Sequence, residues 1–144
     1  MAGRLTLYID GAAKGNPGHA GIGVIICQEG EVIKNISTYI GTTTNNIAEY
    51  TALIYGLQEA LIMKAETLTI YTDSQLLFRQ LNGQYKVRNS NITNLFRQIQ
   101  HLLSGLPRVS IEHIPRQQNR GADKLATKAV QQALKKKGIL GDVI

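Results

Sequence analysis

Cysteine is nearly absent from this chain, and so is any apolar run that could cross a membrane. The one cysteine, Cys27, cannot form an internal disulfide, and its apolar neighbours predict a buried thiol with a structural role. A chain without disulfides suits a reducing compartment, so we expect a cytoplasmic protein. The N-terminus lacks the apolar core of a signal peptide, and we expect no association with a membrane.

The composition is that of a folded globular protein with a positive charge. Hydrophobic residues make up 43% and charged residues 18% of the 144 residues. This length predicts a single domain over 1–144, with 139–144 as a short C-terminal tail and no internal repeat or linker. The formal net charge of +6 indicates an anionic partner, and nucleic acid is the first class to consider.

Apolar patterning predicts the element order β-β-β-α-β-α-α-β-α. Alternating or β-branched runs indicate strands, and apolar residues at helical spacing indicate helices. The predicted strands cover 5–10, 20–28, 31–40, 68–73 and 109–114, and the predicted helices cover 47–63, 75–82, 92–103 and 122–133. Three strands joined by short turns, followed by βαβ units, predict an α/β fold with a mixed sheet covered by helices.

Four carboxylates occupy related places in this order. Asp10 and Asp73 each end a predicted strand, while Glu49 and Asp123 each lie in the first turn of a predicted helix. Ends of neighbouring strands and starts of packed helices can converge, and four acidic groups gathered there repel one another unless cations hold them. Because every ligand would be an oxygen, we expect a hard cation such as Mg²⁺ or Mn²⁺.

Each carboxylate also has a purely structural explanation. Asp10 fits a turn residue that accepts hydrogen bonds from nearby backbone amides. Glu49 follows Asn46 by three residues, as in a capping box, and Asp123 would complement a helix dipole. These explanations do not account for two strands that both end in aspartate. Spacing alone leaves both interpretations open.

Four segments resemble the motifs of type 1 ribonuclease H, and they occur in the family's order. The segments are DGAAKGNPG at 10–18, TTNNIAEY at 43–50, YTDSQ at 71–75 and NRGADKLA at 119–126. The resemblance extends over most of the chain. It implies the ribonuclease H-like fold, a mixed five-stranded sheet with an antiparallel meander and parallel strands, flanked by helices. It also implies hydrolysis of the RNA strand of RNA/DNA hybrids.

Carried over by motif, the resemblance implies that Asp10, Glu49, Asp73 and Asp123 bind two divalent ions, Mg²⁺ or its substitute Mn²⁺. Two such ions can activate a water and stabilise the leaving 3′ oxygen of an in-line displacement, which leaves 5′-phosphate and 3′-hydroxyl ends. Asp10 would bridge the ions, Glu49 would lie near the ribose 2′-hydroxyl, and Asp123 would lie on the nucleophile side.

Further positions match family contacts to the hybrid. Asn16, Asn46 and Gln75 match contacts to the minor groove, and Thr44 and Asn45 match positions near the DNA backbone. Their structural alternatives are turn and capping roles. We expect a monomer without an obligate protein partner that binds RNA/DNA hybrids, with double-stranded RNA as a further substrate. A catalytically silent binding module is the alternative function.

Two features depart from the family pattern. A basic, tryptophan-containing protrusion is reduced here to residues 83–91, and the chain has no tryptophan. The chain therefore resembles the compact branch without the protrusion, with Lys86 and Arg88 among its binding charges. The family's loop histidine is also missing. Arg116 is the candidate for its place and can orient phosphate but not shuttle protons, whereas His113 lies in a predicted strand and is expected to be structural.

Overall fold

The computed structural model describes residues 3–143, and the side chains of residues 3–136. Its elements follow the predicted order. They are β1 (Arg4–Gly15), β2 (Gly18–Gln28), β3 (Glu31–Thr43), α1 (Asn45–Ile62), β4 (Thr67–Thr72), α2 (Gln75–Leu81), α3 (Ser90–Ser104), β5 (Arg108–His113), a 3₁₀ turn (Arg116–Gln118) and α4 (Arg120–Val143). The last helix takes in most of the predicted tail, and Ile144 lies outside the described residues.

The strands form one mixed sheet in the order β3-β2-β1-β4-β5. β1 pairs antiparallel with β2, and β2 pairs antiparallel with β3. β4 lies parallel between β1 and β5. The predicted meander and parallel strands are therefore confirmed, and β1 stands at the centre of the sheet.

The hairpin between β2 and β3 turns where the sequence predicts it. Glu29 and Gly30 both have positive φ, at 52° and 81°, as a two-residue type I′ turn requires. The predicted end of β1 at Asp10 is wrong, because pairing with β2 continues to Gly15 and Gly18. Backbone hydrogen bonds carry the ladder through a glycine-rich segment that has few side chains to indicate a strand.

α1 and α4 cover opposite faces of the sheet. α1 packs closely against β1, where a Cβ on Gly56 would lie 2.9 Å from Leu7 Cδ1. On the other face, a Cβ on Gly23 would overlap the carbonyl oxygen of Ala122, so the backbone of α4 rests on β2. Gly23 is the partner of Asp10 across the β1–β2 pair. The start of α4 is thereby placed beside Asp10.

α1 begins earlier than predicted. Thr44 is its N-cap, and the Thr44 hydroxyl accepts a hydrogen bond of 3.2 Å from the backbone N–H of Ile47. Glu49 therefore lies in the second turn rather than the first, and the predicted capping box of Asn46 and Glu49 is wrong. Four consecutive residues that can cap a helix leave its first residue undetermined from sequence.

The core is built from the apolar faces of β1, β2, β4 and α1. Leu7, Ile26, Leu53 and Ile70 are all buried within it. Cys27 is half-buried instead of fully buried, because alternation along β2 turns it to the face opposite Ile26. No helix in the described part of the chain is long and apolar enough to span a membrane.

Candidate active site

Three carboxylates meet at one edge of the sheet. Asp10, Glu49 and Asp73 each offer an oxygen, and these oxygens all lie within 4.8 Å of one another. Asp123 and Arg116 line the same cavity, whose volume is about 340 Å³. The four carboxylates that the sequence predicts to converge therefore do so.

The register of the parallel strands explains why Asp10 and Asp73 are neighbours. Pairing between β1 and β4 ends at Ile9 and Thr72, so the next residue of each strand is an aspartate at the same edge. Glu49 joins them because α1 lies directly on β1. A Cβ on Gly11 would overlap the backbone of α1 next to Glu49, which only glycine avoids.

Burial and mutual repulsion make these carboxyls hard to ionise together. Burial, and then the neighbouring charges of Asp73, Glu49 and Asp123, raise the pKa of Asp10 to about 9. Burial is also the main reason that the pKa of Glu49 rises to about 7. Burial likewise raises the pKa of Asp73, while Asn119 and Arg116 act in the opposite direction. A bound cation would offset both the burial and the repulsion.

The donor set fits a hard divalent cation. Every candidate ligand is a carboxylate oxygen. Mg²⁺ and Mn²⁺ prefer such hard oxygen ligands to softer ligands. The Oε2 atom of Glu49 is buried and has no hydrogen-bond partner among the described residues. A buried acidic oxygen without a partner, on a residue that lies beside two other carboxylates, is suited to metal ligation.

Asn45 connects the loop of the first hairpin to Glu49. Its Nδ2 donates to Glu49 Oε1 at 3.1 Å, and its Oδ1 accepts from the backbone N–H of Ala13 at 3.2 Å. Its own backbone N–H donates to Oδ1 of Asn16 at 3.1 Å. The capping alternative for Asn45 is wrong, because Thr44 caps α1, and the Asn45 amide orients a carboxylate of the site instead.

The remaining candidate hybrid-binding residues are spread over one side of the molecule. Thr44 caps α1 and Gln75 begins α2, so both stand close to carboxylates of the site. Asn46 is partly exposed in the first turn of α1. Lys86 and Arg88 lie in the short connection between α2 and α3. Lys86 lines a groove that is separate from the carboxylate cavity, and Arg88 is exposed.

Arg116 is exposed beside the carboxylates. Its side chain is 81% exposed, and its Nη2 lies 4.0 Å from Oδ1 of Asp123. A guanidinium held so loosely is available to a ligand that enters the cavity. Its position in the 3₁₀ turn after β5 agrees with the predicted loop, although part of that loop is helical.

His113 is in β5, as predicted, but it also contacts the site. Its Nε2 lies 3.2 Å from the backbone oxygen of Asp73, and its ring packs against Phe78 with centroids 6.0 Å apart. Two contacts are not predicted by the sequence pattern: His113 with the backbone oxygen of Asp73, and Asn119 with the backbone oxygen of Ile9. His113 pairs with Thr72 in the parallel register of β4 and β5, which brings it next to Asp73. This register cannot be deduced from the sequence.

Comparison with known proteins gives consistent similarities. A family model described as reverse transcriptase-like matches residues 8–129. The chain is 37% identical over 132 residues to ribonuclease HI of Halobacterium salinarum, covering 91% of this chain and 66% of that protein. It is 36% identical to the bifunctional protein Rv2228c of Mycobacterium tuberculosis, covering 90% of this chain and 36% of that protein.

A solved structure is similar over almost its whole length. LC11-RNase H1, determined in complex with an RNA/DNA hybrid, superposes with a TM-score of 0.86 at 40% identity. The match covers 90% of this chain and 99% of that one. By contrast, the chain spans only about a third to two thirds of the length of the two curated relatives.

Proposed function

Because this chain belongs to the type 1 ribonuclease H family, in its compact branch without the protrusion, we propose that it hydrolyses the RNA strand of RNA/DNA hybrids. The observation that carries this proposal is the carboxylate cluster of Asp10, Glu49 and Asp73 with Asp123 in the same cavity. The hybrid bound to LC11-RNase H1 supports the choice of substrate.

The four carboxylates would hold two divalent cations, Mg²⁺ or Mn²⁺ as a substitute. Bound there, the cations would activate the attacking water and stabilise the leaving 3′ oxygen. Asp10 lies in the same cavity as the three other carboxylates, and it would hold the cations together with them. Asn45 keeps Glu49 turned towards Asp10 and Asp73, where Glu49 would meet the ribose 2′-hydroxyl.

The neighbouring residues would hold the hybrid across this site. Arg116 would orient the phosphate beside Asp123, because its guanidinium is exposed and offers paired donors. Asn16, Asn46 and Gln75 would contact the minor groove, and Thr44 and Asn45 the DNA backbone. Lys86 and Arg88 would supply positive charge where other family members carry the protrusion.

A cleavage assay with end-labelled substrates tests this proposal. We expect cleavage of an RNA/DNA hybrid with Mg²⁺, loss of cleavage with EDTA, and products with 5′-phosphate and 3′-hydroxyl ends. The Asp10→Asn variant is the control for a contaminating nuclease. A 2′,3′-cyclic phosphate, or full activity in EDTA, would contradict attack by a metal-activated water.

The same assay with matched duplexes defines the substrate. RNA/DNA hybrid, double-stranded RNA and double-stranded DNA of one sequence should be compared at equal concentration. We expect the hybrid to be cleaved fastest, double-stranded RNA more slowly, and double-stranded DNA not at all, since only RNA has a 2′-hydroxyl. Tight binding of hybrid without cleavage under any metal would instead identify a silent binding module.

A further inference from the structure

A buried asparagine joins two of the elements that carry the carboxylates, β1 and α4. Asn119 is only 1% exposed. Its Nδ2 donates a hydrogen bond of 2.8 Å to the backbone oxygen of Ile9, the residue before Asp10. Its own backbone oxygen accepts from the N–H of Asp123 at 3.1 Å. One residue thus connects the middle of β1 to the first turn of α4.

The side chain of Asn119 does not cap the helix that follows it. An asparagine directly before a helix usually accepts a hydrogen bond from a backbone N–H of the first turn. Here Oδ1 of Asn119 is buried and has no hydrogen-bond partner in the described part of the chain. The residue therefore gives up a common stabilising contact and leaves a buried acceptor unpaired, and its amide N–H groups face β1 instead.

The orientation of this amide follows from its neighbours. The backbone oxygen of Ile9 can only accept, so the NH₂ group of Asn119 must face it. This hydrogen bond therefore ties the residue before α4 to the strand that carries Asp10.

We propose that Asn119 is a positioning residue whose amide, by tying the start of α4 to β1, fixes the spacing of Asp10 and Asp123 for divalent cations. This inference rests on the proposed function, because the cations are those of the hydrolytic site. Groups that hold metal ligands in place commonly change metal affinity or activity by about 10–100-fold when removed. Asn119 is buried and is not among the described residues that line the carboxylate cavity, so it would act through the carboxylates.

The test compares Asn119→Ala with the wild type in two measurements. The first is the rise in Tm of the substrate-free protein on titration with Mn²⁺, which reports cation affinity without catalysis. The second is the Mg²⁺ dependence of hybrid cleavage at saturating hybrid. We expect the half-saturating cation concentration to rise about ten-fold or more in both, and kcat to fall while KM for the hybrid changes little.

Asn119→Asp tests whether the hydrogen bond donated by the Asn119 amide matters, rather than the shape of the side chain. Aspartate has nearly the same volume but, when ionised, has only acceptors and cannot donate to the backbone oxygen of Ile9. We expect it to weaken cation binding at least as much as Asn119→Ala. If the Asn119→Asp variant binds cations as tightly as the wild type, the donated hydrogen bond is unimportant and the proposal is wrong.

Ile99→Ala is the matched control for a general loss of stability. Ile99 is fully buried on α3, which packs against α1 away from the carboxylates. This variant should lower Tm without changing the half-saturating cation concentration. If Ile99→Ala shifts that concentration as much as Asn119→Ala, or if Asn119→Ala leaves it within about two-fold of the wild type, the positioning role is wrong.

The two proposals fail differently. If the wild type cleaves no hybrid, the proposed function fails, yet the Mn²⁺ titration of Tm still compares Asn119→Ala with the wild type. If the wild type cleaves hybrid and the cation dependence of Asn119→Ala is unchanged, only the positioning role of Asn119 fails.

Discussion

At the scale of single residues, the site places a carboxyl where ionisation is costly. Asp10 is buried to 8% exposure and surrounded by three other acidic groups. A protein would not maintain such a group for stability alone, because a buried carboxylate without a cation disfavours the folded state. The arrangement is understandable if the carboxylates are kept for the binding of cations.

Replacement of Asp10 separates catalysis from stability. We expect Asp10→Asn to reduce hybrid cleavage by about 10³-fold or more, a barrier increase of about 4 kcal/mol. The fold should be retained, and the Tm of the metal-free variant should rise, by about 3 °C for each kcal/mol of repulsion removed. Cleavage assays and thermal melts in EDTA measure both effects. Residual activity of about a tenth would point to a structural role for Asp10.

We expect the replacement of Arg116 and the replacement of His113 to have different effects on catalysis and stability. Arg116 is exposed beside Asp123, so Arg116→Ala should lower kcat about ten-fold, or about 1.4 kcal/mol of barrier, with little change in Tm. Arg116→Lys should restore part of the rate, because one ammonium cannot form a bidentate phosphate contact. Steady-state kinetics and melts of the folded variants measure these effects.

His113→Ala is the comparison for Arg116. It removes a contact to the backbone of Asp73 and a ring that packs on Phe78. We expect a lower Tm and a smaller loss of kcat than for Arg116→Ala. A silent Arg116→Ala together with an inactive but folded His113→Ala would reverse the assignment of this loop.

At the scale of elements, the distance between α4 and β2 decides where Asp123 lies. Gly23→Ala would place a Cβ against the carbonyl oxygen of Ala122, so α4 must move away from the sheet. We expect a loss of stability of about 2–3 kcal/mol and a disproportionate loss of hybrid cleavage. Denaturant unfolding and kinetics at a temperature where the variant is folded measure the two effects.

Gly3→Ala is the matched control for Gly23→Ala. A Cβ on Gly3 would contact nothing within 4 Å, so the change should be close to neutral in both assays. Equal stability of Gly23→Ala and the wild type would show that α4 is not held closely against β2.

The elements that sequence predicts well are those whose apolar pattern is local. The order of strands and helices, the type I′ turn at Glu29 and Gly30 and the first-turn position of Asp123 all follow from short patterns. The continuation of β1 through Gly15 does not, because ladder hydrogen bonds have no side-chain signature. The start of α1 at Asn45 is also ambiguous, since Thr43 to Asn46 are all capping residues.

The carboxylates of the site are visible in the sequence, but the groups that hold them are not. Asp10 and Asp73 each follow the same pattern in one of two strands. This repetition favours a metal site over a separate structural explanation for each residue. Asn119 and His113 act through backbone oxygens of Ile9 and Asp73, which any residue would provide. Such contacts depend on register and helix placement, so no residue pattern predicts them.

At the scale of the whole molecule, the acidic cluster couples folding to pH and to metal. In the unfolded chain Asp and Glu have pKa values of about 3.9 and 4.3. In the folded protein the pKa of Asp10 is raised to about 9 and that of Glu49 to about 7, and the pKa of Asp73 is raised too. Between these values the folded state binds more protons than the unfolded state.

This difference fixes the sign of the pH dependence. When the folded state binds more protons, the free energy of unfolding falls as pH rises. The contribution of the cluster is therefore fully present below about pH 4 and is lost as pH rises to about 9. We expect the Tm of the metal-free protein, measured in EDTA, to fall from about pH 5 to about pH 9. Mg²⁺ should reduce this decline, because it binds the ionised carboxylates.

Asp10→Asn is the matched variant for this measurement, since it removes the carboxyl whose pKa is raised to about 9 while keeping its size. Its Tm should decline less steeply with pH than that of the wild type, and Mg²⁺ should raise it less. Titrating groups outside the cluster act equally on both proteins, so the difference between the two curves reports Asp10 and its interactions with the other carboxylates. A difference that stays constant across this pH range would show that Asp10 is ionised in the metal-free protein at every pH measured, and that burial and repulsion do not control its charge.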